Sequence, residues 1–200
     1  MKTLASTLII GLLNFVPVWL FGQDEPRFQL IALGGVFSPI DNEIQNIYGG
    51  GPTGQIALAA SVGEYGRVKF GGNFFNRSGD PFYQSRDFDA GDPAELTLTG
   101  LSLSLEANPL TAGYPRLYFG AGVEYVFGKE EITGQESGDG GAIGARLSVT
   151  PEFRLSQRIS FIAEAGYRFL ELTFKSDRDR YRFNLSGASL LLGLGYNFGS

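Results

Sequence analysis

The chain has no histidine and no cysteine among its 200 residues, and it has one methionine and one tryptophan. Without histidine, Ser-His-Asp hydrolysis, histidine-dependent acyl transfer and most zinc catalysis are excluded. Without cysteine, disulfide bonds, thiolate catalysis and cysteine metal sites are excluded as well. The sequence therefore predicts a protein that is not an enzyme and carries no cofactor, and whose stability comes from hydrogen-bonded strands and packing.

Positive charge is also scarce, with 16 lysines and arginines against 21 acidic residues and a formal net charge of −5. The sequence has no basic stripe that could neutralise a phosphate backbone, so nucleic acid is excluded as a partner.

Long hydrophobic runs are absent after the N-terminus. The one long run, residues 4–21, is interrupted by Asn14 and Pro17 and is followed by an acidic, proline-containing stretch. This pattern is typical of a secretory signal peptide, and the alternative is an uncleaved membrane anchor. We expect residues 1–22 to be the signal peptide and residues 23–200 to form a single domain.

The rest of the chain alternates apolar residues with small or polar ones, at a period near two. The last segment is the clearest, since Leu190, Leu192 and Leu194 alternate with small residues before Tyr196 and Phe198. No helical stripe of ten or more residues follows the signal, so the chain is predicted to be all-β. Eight such segments are recognisable, at residues 28–37, 54–62, 67–74, 101–106 with a bulge near Gly100, 117–127, 143–153, 159–169 and 188–198.

The connections between these segments alternate in length. Three are short (63–66, 108–115 and 155–158), three are long (38–53, 77–94 and 128–141), and the last, 175–182, is intermediate. Such alternation predicts an eight-stranded antiparallel up-and-down transmembrane β-barrel, with the short turns and both termini on the periplasmic side of a bacterial outer membrane. The glycine-rich residues 49–54 are expected to form a turn.

The composition of the polar face favours a membrane barrel over a soluble one. This face carries small residues and scattered charges but almost no lysine, which suits the crowded interior of a narrow barrel better than a solvated exterior. Charges in such an interior need partners, so we expect a paired structural network, with Glu124 and Arg146 the most plausible couple; the alternative is a proton or ion path. The predicted members are Arg67, Lys69, Glu106, Glu124, Arg146, Glu152, Glu164 and Arg168.

Two further features concern the ends of the segments. Aromatic residues fall near segment ends, as in the interfacial girdles of membrane barrels, at Phe119, Tyr125, Phe127, Tyr167, Phe169, Tyr196 and Phe198. Residues 81–88 and 177–182 mix aromatic and charged side chains and could contact an extracellular protein or glycan. Asp87, Asp89 and Asp92 share one loop, but their spacing does not match an EF-hand, and a solvated acidic loop is the simpler interpretation.

The signal peptide, the alternating strands and the ending at residues 190–198 together resemble the small eight-stranded outer-membrane barrels, which include the OmpX-like proteins and the OmpA membrane domain. The resemblance covers residues 27–198; Gly199 and Ser200 follow where such proteins usually end on an aromatic residue. It implies an assembly signal at Tyr196 and Phe198 for the barrel-assembly machinery, contact with outer-membrane lipid and lipopolysaccharide, and a structural or surface-contact role. The alternatives are a pore for ions or small solutes and a secreted, soluble ligand-binding barrel.

Overall fold

The computed structural model describes residues 28–63, 65–79, 94–109, 115–133, 137–175 and 180–198. The predicted signal peptide, the three loop aspartates and residues 81–88 lie outside these ranges. The elements are β1 (Phe28–Pro39), α1 (Asn42–Ile47), β2 (Gly51–Val62), β3 (Gly66–Gly79), β4 (Ala94–Ala107), β5 (Arg116–Ile132), β6 (Gly138–Arg154), β7 (Ile159–Phe169), β8 (Glu171–Lys175), β9 (Arg180–Asn184) and β10 (Gly187–Phe198).

The strands form one closed antiparallel meander. From β1 to β7 each strand pairs with the next, β7 pairs with β10, and β10 pairs with β1 to close the ring. Leu170 alone separates β7 from β8, and β9 is separated from β10 by two residues, so the β8–β9 hairpin prolongs the last two barrel strands. The predicted eight-stranded up-and-down barrel is confirmed.

The eight barrel strands, β1–β7 and β10, each turn an apolar face outward. In β10, Leu190 is 55% exposed and Leu191 only 2%, and in β1, where the sequence leaves the phase open, Leu30 is 48% exposed and Ile31 1%. β1 is apolar on both faces because Ile31 packs inside with Ala57, Ile162 and other buried residues. The arrangement is that of a membrane barrel and the reverse of a soluble one, whose exterior would be polar.

The two ends of the barrel differ. The end with the turns β2–β3, β4–β5 and β6–β7, where Phe28 and Phe198 also lie, is called here the turn end. The opposite end, called the loop end, carries α1 and the β8–β9 hairpin. Its strands are longer than predicted: β3 reaches Gly79, and β5 and β6 fill most of the connection expected at 128–141.

Two local predictions are wrong. Gly100 pairs in unbroken register with Asn73 on β3 and Val126 on β5, so there is no bulge; an inward glycine fits because the Asn73 side chain lies where a Cβ would stand. Residues 51–54, expected in a turn, begin β2, and the turn falls at Gly49, whose φ of 64° favours glycine.

The short helix α1 was not predicted. Asp41 caps it, since its side chain accepts hydrogen bonds from the backbone N–H groups of Glu43 and Ile44 at 3.0 and 3.4 Å. Ile44 and Ile47 are buried against the barrel. Within the described ranges no helix has the length and apolar character needed to cross a bilayer.

The buried apolar residues at the loop end form one cluster, called here the apolar cap. It joins α1 to the inner faces of the extended strands and of the β8–β9 hairpin. Its members are Phe37, Ile44, Ile47, Tyr48, Phe75, Ala94, Leu96, Leu98, Val126, Ile132, Leu170, Leu172, Phe174, Phe183 and Leu185.

Candidate functional site: the charged interior

All eight charged residues that the sequence assigned to the interior lie on inward-facing strand positions. Seven are buried, and the side chain of Arg146 is 11% exposed. Period-two alternation places them there, because each occupies the polar phase of its strand. The four cations and four carboxylates balance in charge.

Six of these residues form a continuous chain of ion pairs in alternating sign. Arg146 Nη2 lies 2.6 Å from Glu164 Oε1, and Lys69 Nζ lies 2.6 Å from Glu164 Oε2. Lys69 also pairs with Glu106. Arg67 then connects Glu106 to Glu152, the last member of the chain. Its Nε lies 2.5 Å from Glu106 Oε2, and its Nη1 lies 3.0 Å from Glu152 Oε2.

The remaining two charges pair with each other. Arg168 Nε lies 2.5 Å from Glu124 Oε1, and Arg168 Nη2 donates to Glu124 Oε2 at 3.1 Å. The predicted couple of Glu124 and Arg146 is therefore wrong. Arg146 and Glu124 do lie on paired strands, but Arg146 turns toward Glu164 on its other neighbour, β7, while Arg168 reaches past β6 to β5.

Several ion pairs cross the lumen. Lys69 is on β3 and Glu164 on β7, which stand four strands apart in a ring of eight and so face each other directly. An eight-stranded barrel is just wide enough for its side chains to fill it. Toward the loop end, the space beside Arg168, Asn73 and Gln55 is a cavity of about 20 Å³, room for about one water molecule.

Uncharged polar residues that sequence analysis did not single out complete the network. Gln29 Nε2 donates to Glu152 Oε1 at 2.9 Å, and its Oε1 accepts from Arg67 Nη1 at 3.1 Å. Asn73 Oδ1 accepts from Arg168 Nη2 at 3.0 Å. Their inward phase is visible in the sequence, but their partners lie on strands that pairing rules do not bring together.

Glycines on the inner wall make room for the long charged side chains. A Cβ at Gly120 would lie 2.4 Å from Ser148 Oγ and 3.0 Å from Glu106 Cγ. The Glu106 side chain can therefore extend along the inner wall of the barrel and reach Arg67 and Lys69.

A fifth buried carboxylate, Glu130, lies apart from this network, within the apolar cap. It is 1% exposed and accepts hydrogen bonds from the hydroxyls of Tyr48 and Tyr181. Its neighbours in the chain, Lys129 and Glu131, are exposed and charged. This part of β5 therefore lies beyond the apolar outer band, the belt of apolar side chains on the outer face of the barrel. Burial raises the pKa of the Glu130 carboxyl, although the hydrogen bonds from Tyr181 and Tyr48 act in the opposite direction.

Glu130 was missed because it falls in a stretch predicted to be a loop. In the same stretch, Asp139 on β6 pairs with Lys129 on β5, so it too lies in a strand and not in a loop. Within the described ranges, no three carboxylates come together as a metal-binding group would require.

The predicted aromatic girdle residues divide between the two ends. Phe119, Tyr196 and Phe198 lie toward the turn end, and Tyr125 and Phe127 toward the loop end, all of them exposed on the outer face. Tyr167 and Phe169 belong to the loop end and contact each other edge to face at 4.7 Å. Phe198 stacks on Phe28 across the β1–β10 pair, with ring centroids 6.0 Å apart.

Comparison with known proteins shows the fold alone. No protein-family model and no curated protein sequence matches the chain. Among solved structures, the outer membrane protein OprG from Pseudomonas aeruginosa is similar with a TM-score of 0.64 and 14% identity, over 90% of this chain and 99% of that one. A major outer membrane protein from Thermus thermophilus gives 0.58 and 18%, over 86% and 99%. Neisserial surface protein A gives 0.57 and 12%, over 86% and 97%. The fold is thus that of small outer-membrane barrels, the class that the sequence resembles.

Proposed function

We propose that this chain is a bacterial outer-membrane protein that neither conducts solutes nor catalyses a reaction, and that acts as a structural or surface-contact protein through its loop end. The observation that supports the proposal best is the combination of an apolar exterior with a filled interior. Large apolar side chains such as Ile56, Phe70 and Leu147 are more than half exposed on the outer face, a surface that lipid satisfies and water does not.

The filled interior argues against a pore. The Lys69–Glu164 pair crosses the lumen, and at the loop end the apolar cap is packed under α1. A permeating ion would have to displace buried ion pairs and then enter an apolar layer, and each step is costly. In the proposal the network is a scaffold that ties opposite walls together.

The same proposal assigns the ends of the barrel. The turn end and both termini face the periplasm, where Tyr196 and Phe198 are presented to the barrel-assembly machinery during insertion. The outer face meets membrane lipid and lipopolysaccharide, and the loop end meets an extracellular protein or glycan. Display on a rigid barrel is a common use of such loops.

Two measurements test this function together. The mature chain, refolded in detergent, is run on a gel with and without boiling, and is then inserted into planar bilayers. We expect a heat-modifiable band, partition into membranes, and no single-channel conductance.

The alternatives give different results. A chain that stays soluble without detergent contradicts the membrane location. Defined conductance steps contradict the closed interior and favour the pore. Replacing both Lys69 and Glu164 with alanine is a useful comparison, since conductance gained in that variant alone would identify the ion-pair network as the barrier.

A further inference from the structure

The turn end opens into a vestibule of about 680 Å³ inside the barrel mouth. Strands β1, β2, β3, β5, β6 and β10 and the β6–β7 turn contribute to it. The charged lining residues are Arg67, Arg116, Glu152, Arg154 and Arg158.

The charge of this lining is strongly one-sided. Four guanidinium groups face one carboxylate, that of Glu152, among the described residues that line the vestibule. Glu152 is already engaged by Arg67 and Gln29. Among the described lining residues, arginines therefore outnumber carboxylates, in a chain whose overall charge is negative. A concave, low-dielectric mouth lined by one sign of charge concentrates counter-ions of the other sign.

Three of the four arginines, Arg67, Arg116 and Arg154, are held in place by contacts of their side chains. Arg154 donates to the backbone carbonyls of Ser156 and Gln157 at 3.1 and 3.2 Å, and Arg116 donates to the Tyr118 hydroxyl at 3.3 Å. Arg67 is fixed by its two carboxylates, with the Tyr118 ring 3.8 Å from its Cζ. Guanidinium groups positioned in this way bind tetrahedral or planar oxyanions without first losing much side-chain freedom.

Arg67 supplies an independent sign of a missing acceptor. The residue is 5% exposed, yet its Nη2 has no hydrogen-bond partner among the residues that the structure describes. A buried donor without an acceptor is energetically unfavourable. An oxyanion drawn into the inner part of the vestibule would provide acceptors there.

The vestibule also reaches the level of the membrane surface. Tyr196 and Phe198 line it and are at the same time exposed on the outer, lipid-facing side. Aromatic residues of this kind lie at the headgroup level of a bilayer, where lipid phosphates are found.

We propose that the vestibule at the turn end is a binding site for a phosphate group, carried either by a soluble phosphate or by the headgroup of an anionic phospholipid. The guanidinium groups of Arg116, Arg154 and Arg158 bind its oxygens, with Arg67 at the inner wall. Binding of a soluble phosphate at this site does not depend on the proposed function.

The first arm of the test uses inorganic phosphate. Phosphate is titrated calorimetrically into the protein in phosphatidylcholine nanodiscs, for the wild type, Arg154→Gln/Arg158→Gln, and the control Arg180→Gln/Arg182→Gln. The control removes the same charge at the opposite end, from exposed positions on β9. We expect at least a tenfold loss of affinity in the vestibule variant and no change in the control.

The second arm distinguishes the lipid source. The same three proteins are extracted from vesicles of phosphatidylglycerol and phosphatidylcholine, and the retained lipids are counted by native mass spectrometry. Heat-modifiable mobility establishes that each variant is folded before either arm is scored.

The outcomes divide clearly. Phosphate binding that depends on the vestibule arginines supports a soluble ligand, and preferential phosphatidylglycerol retention with the same dependence supports a headgroup. The proposal is overturned if the wild type shows neither behaviour, or if both double variants lose binding equally, because the effect would then be one of general charge.

Discussion

Lys69 Nζ lies 2.6 Å from Glu164 Oε2, although the two residues belong to strands on opposite sides of the barrel. Glu164 also pairs with Arg146 at 2.6 Å, so its carboxylate is held by two cations. Glu124 differs, because Arg168 is its one ion-pair partner among the residues that the structure describes.

This difference predicts unequal effects of removing a cation. Arg168→Met leaves the Glu124 carboxylate buried without a cation and is expected to lower the free energy of unfolding by about 3–5 kcal/mol. Arg146→Met leaves Glu164 with Lys69 and is expected to cost clearly less. Urea unfolding of both variants in lipid vesicles measures the two losses.

The control for this comparison is Glu124→Gln/Arg168→Met, which removes both charges and should recover part of the Arg168→Met loss. The coupling free energy between Glu124 and Arg168 should exceed that between Glu124 and Arg146. Equal single-variant losses, or a larger coupling to Arg146, would contradict the pairing described here.

Glu130 predicts a pH dependence of the apolar cap. Because its native pKa is raised, stability from this group is fully present below the ordinary glutamate pKa and is lost as the pH rises through the raised value, when a charge forms inside an apolar cluster. We expect the protection of α1 amides against hydrogen exchange, corrected for intrinsic rates, to fall as the pH rises over this window. Glu130→Gln should remove this trend.

Tyr48 and Tyr181 are the described residues that donate hydrogen bonds to Glu130, and Arg77 donates to the Tyr48 carbonyl at 3.0 Å. Exchange in β7, which contributes no residue to the apolar cap, provides the internal reference, since it should not follow the titration. A fall in α1 protection that persists in Glu130→Gln would assign the effect to another group.

The pairing of β1 with β10, which closes the barrel, predicts contrasting effects of two glycine substitutions. A Cβ at Gly193 would lie 2.0 Å from the backbone oxygen of Ala32, whereas a Cβ at Gly34 on the paired strand would meet nothing within 4 Å. Gly193→Ala should therefore lower the free energy of unfolding by about 1–3 kcal/mol through steric crowding. Gly34→Ala should have no such cost. Comparable losses of unfolding free energy in the two variants would contradict this steric explanation.

The terminal aromatic residue predicts a difference between assembly and stability. Phe28→Ala and Phe198→Ala each remove the same stacked pair, so their losses in unfolding free energy should be similar. If Phe198 is also an assembly signal, Phe198→Ala alone should reduce the folded, heat-modifiable fraction in cells. Equal folded fractions in cells for the two variants would leave Phe198 with a packing role only.

Much of the barrel is predictable from sequence, because lipid outside and a crowded interior impose period-two alternation on every strand. β7 was predicted with its observed bounds, and the inward position of all eight charges follows from phase alone. Which charges pair does not follow, because long side chains such as Arg168 reach beyond the adjacent strand. That choice depends on the twist and tilt of the finished barrel.

The loop end was harder to predict for a different reason. Beyond the apolar outer band, no lipid selects the outward residues, so the extensions of β5 and β6 and the β8–β9 hairpin lack an alternating apolar signal. Their inward residues, such as Leu172 and Phe174, are buried in the cap, but single positions of this kind are not distinguishable from loop residues. The six-residue α1 is too short for a helical period to be visible.

The pairing of β1 with β10 has a consequence for the order of events in biogenesis. Phe28 is in register with Phe198, so the first strand to be made is completed only by the last, and the ring cannot close while the chain is still emerging. Closure of so long a loop is slow, since non-local contacts form only after much chain entropy has been lost. Until the C-terminal strand arrives, β1 therefore keeps one unpaired edge, and an unpaired strand edge is a template for aggregation.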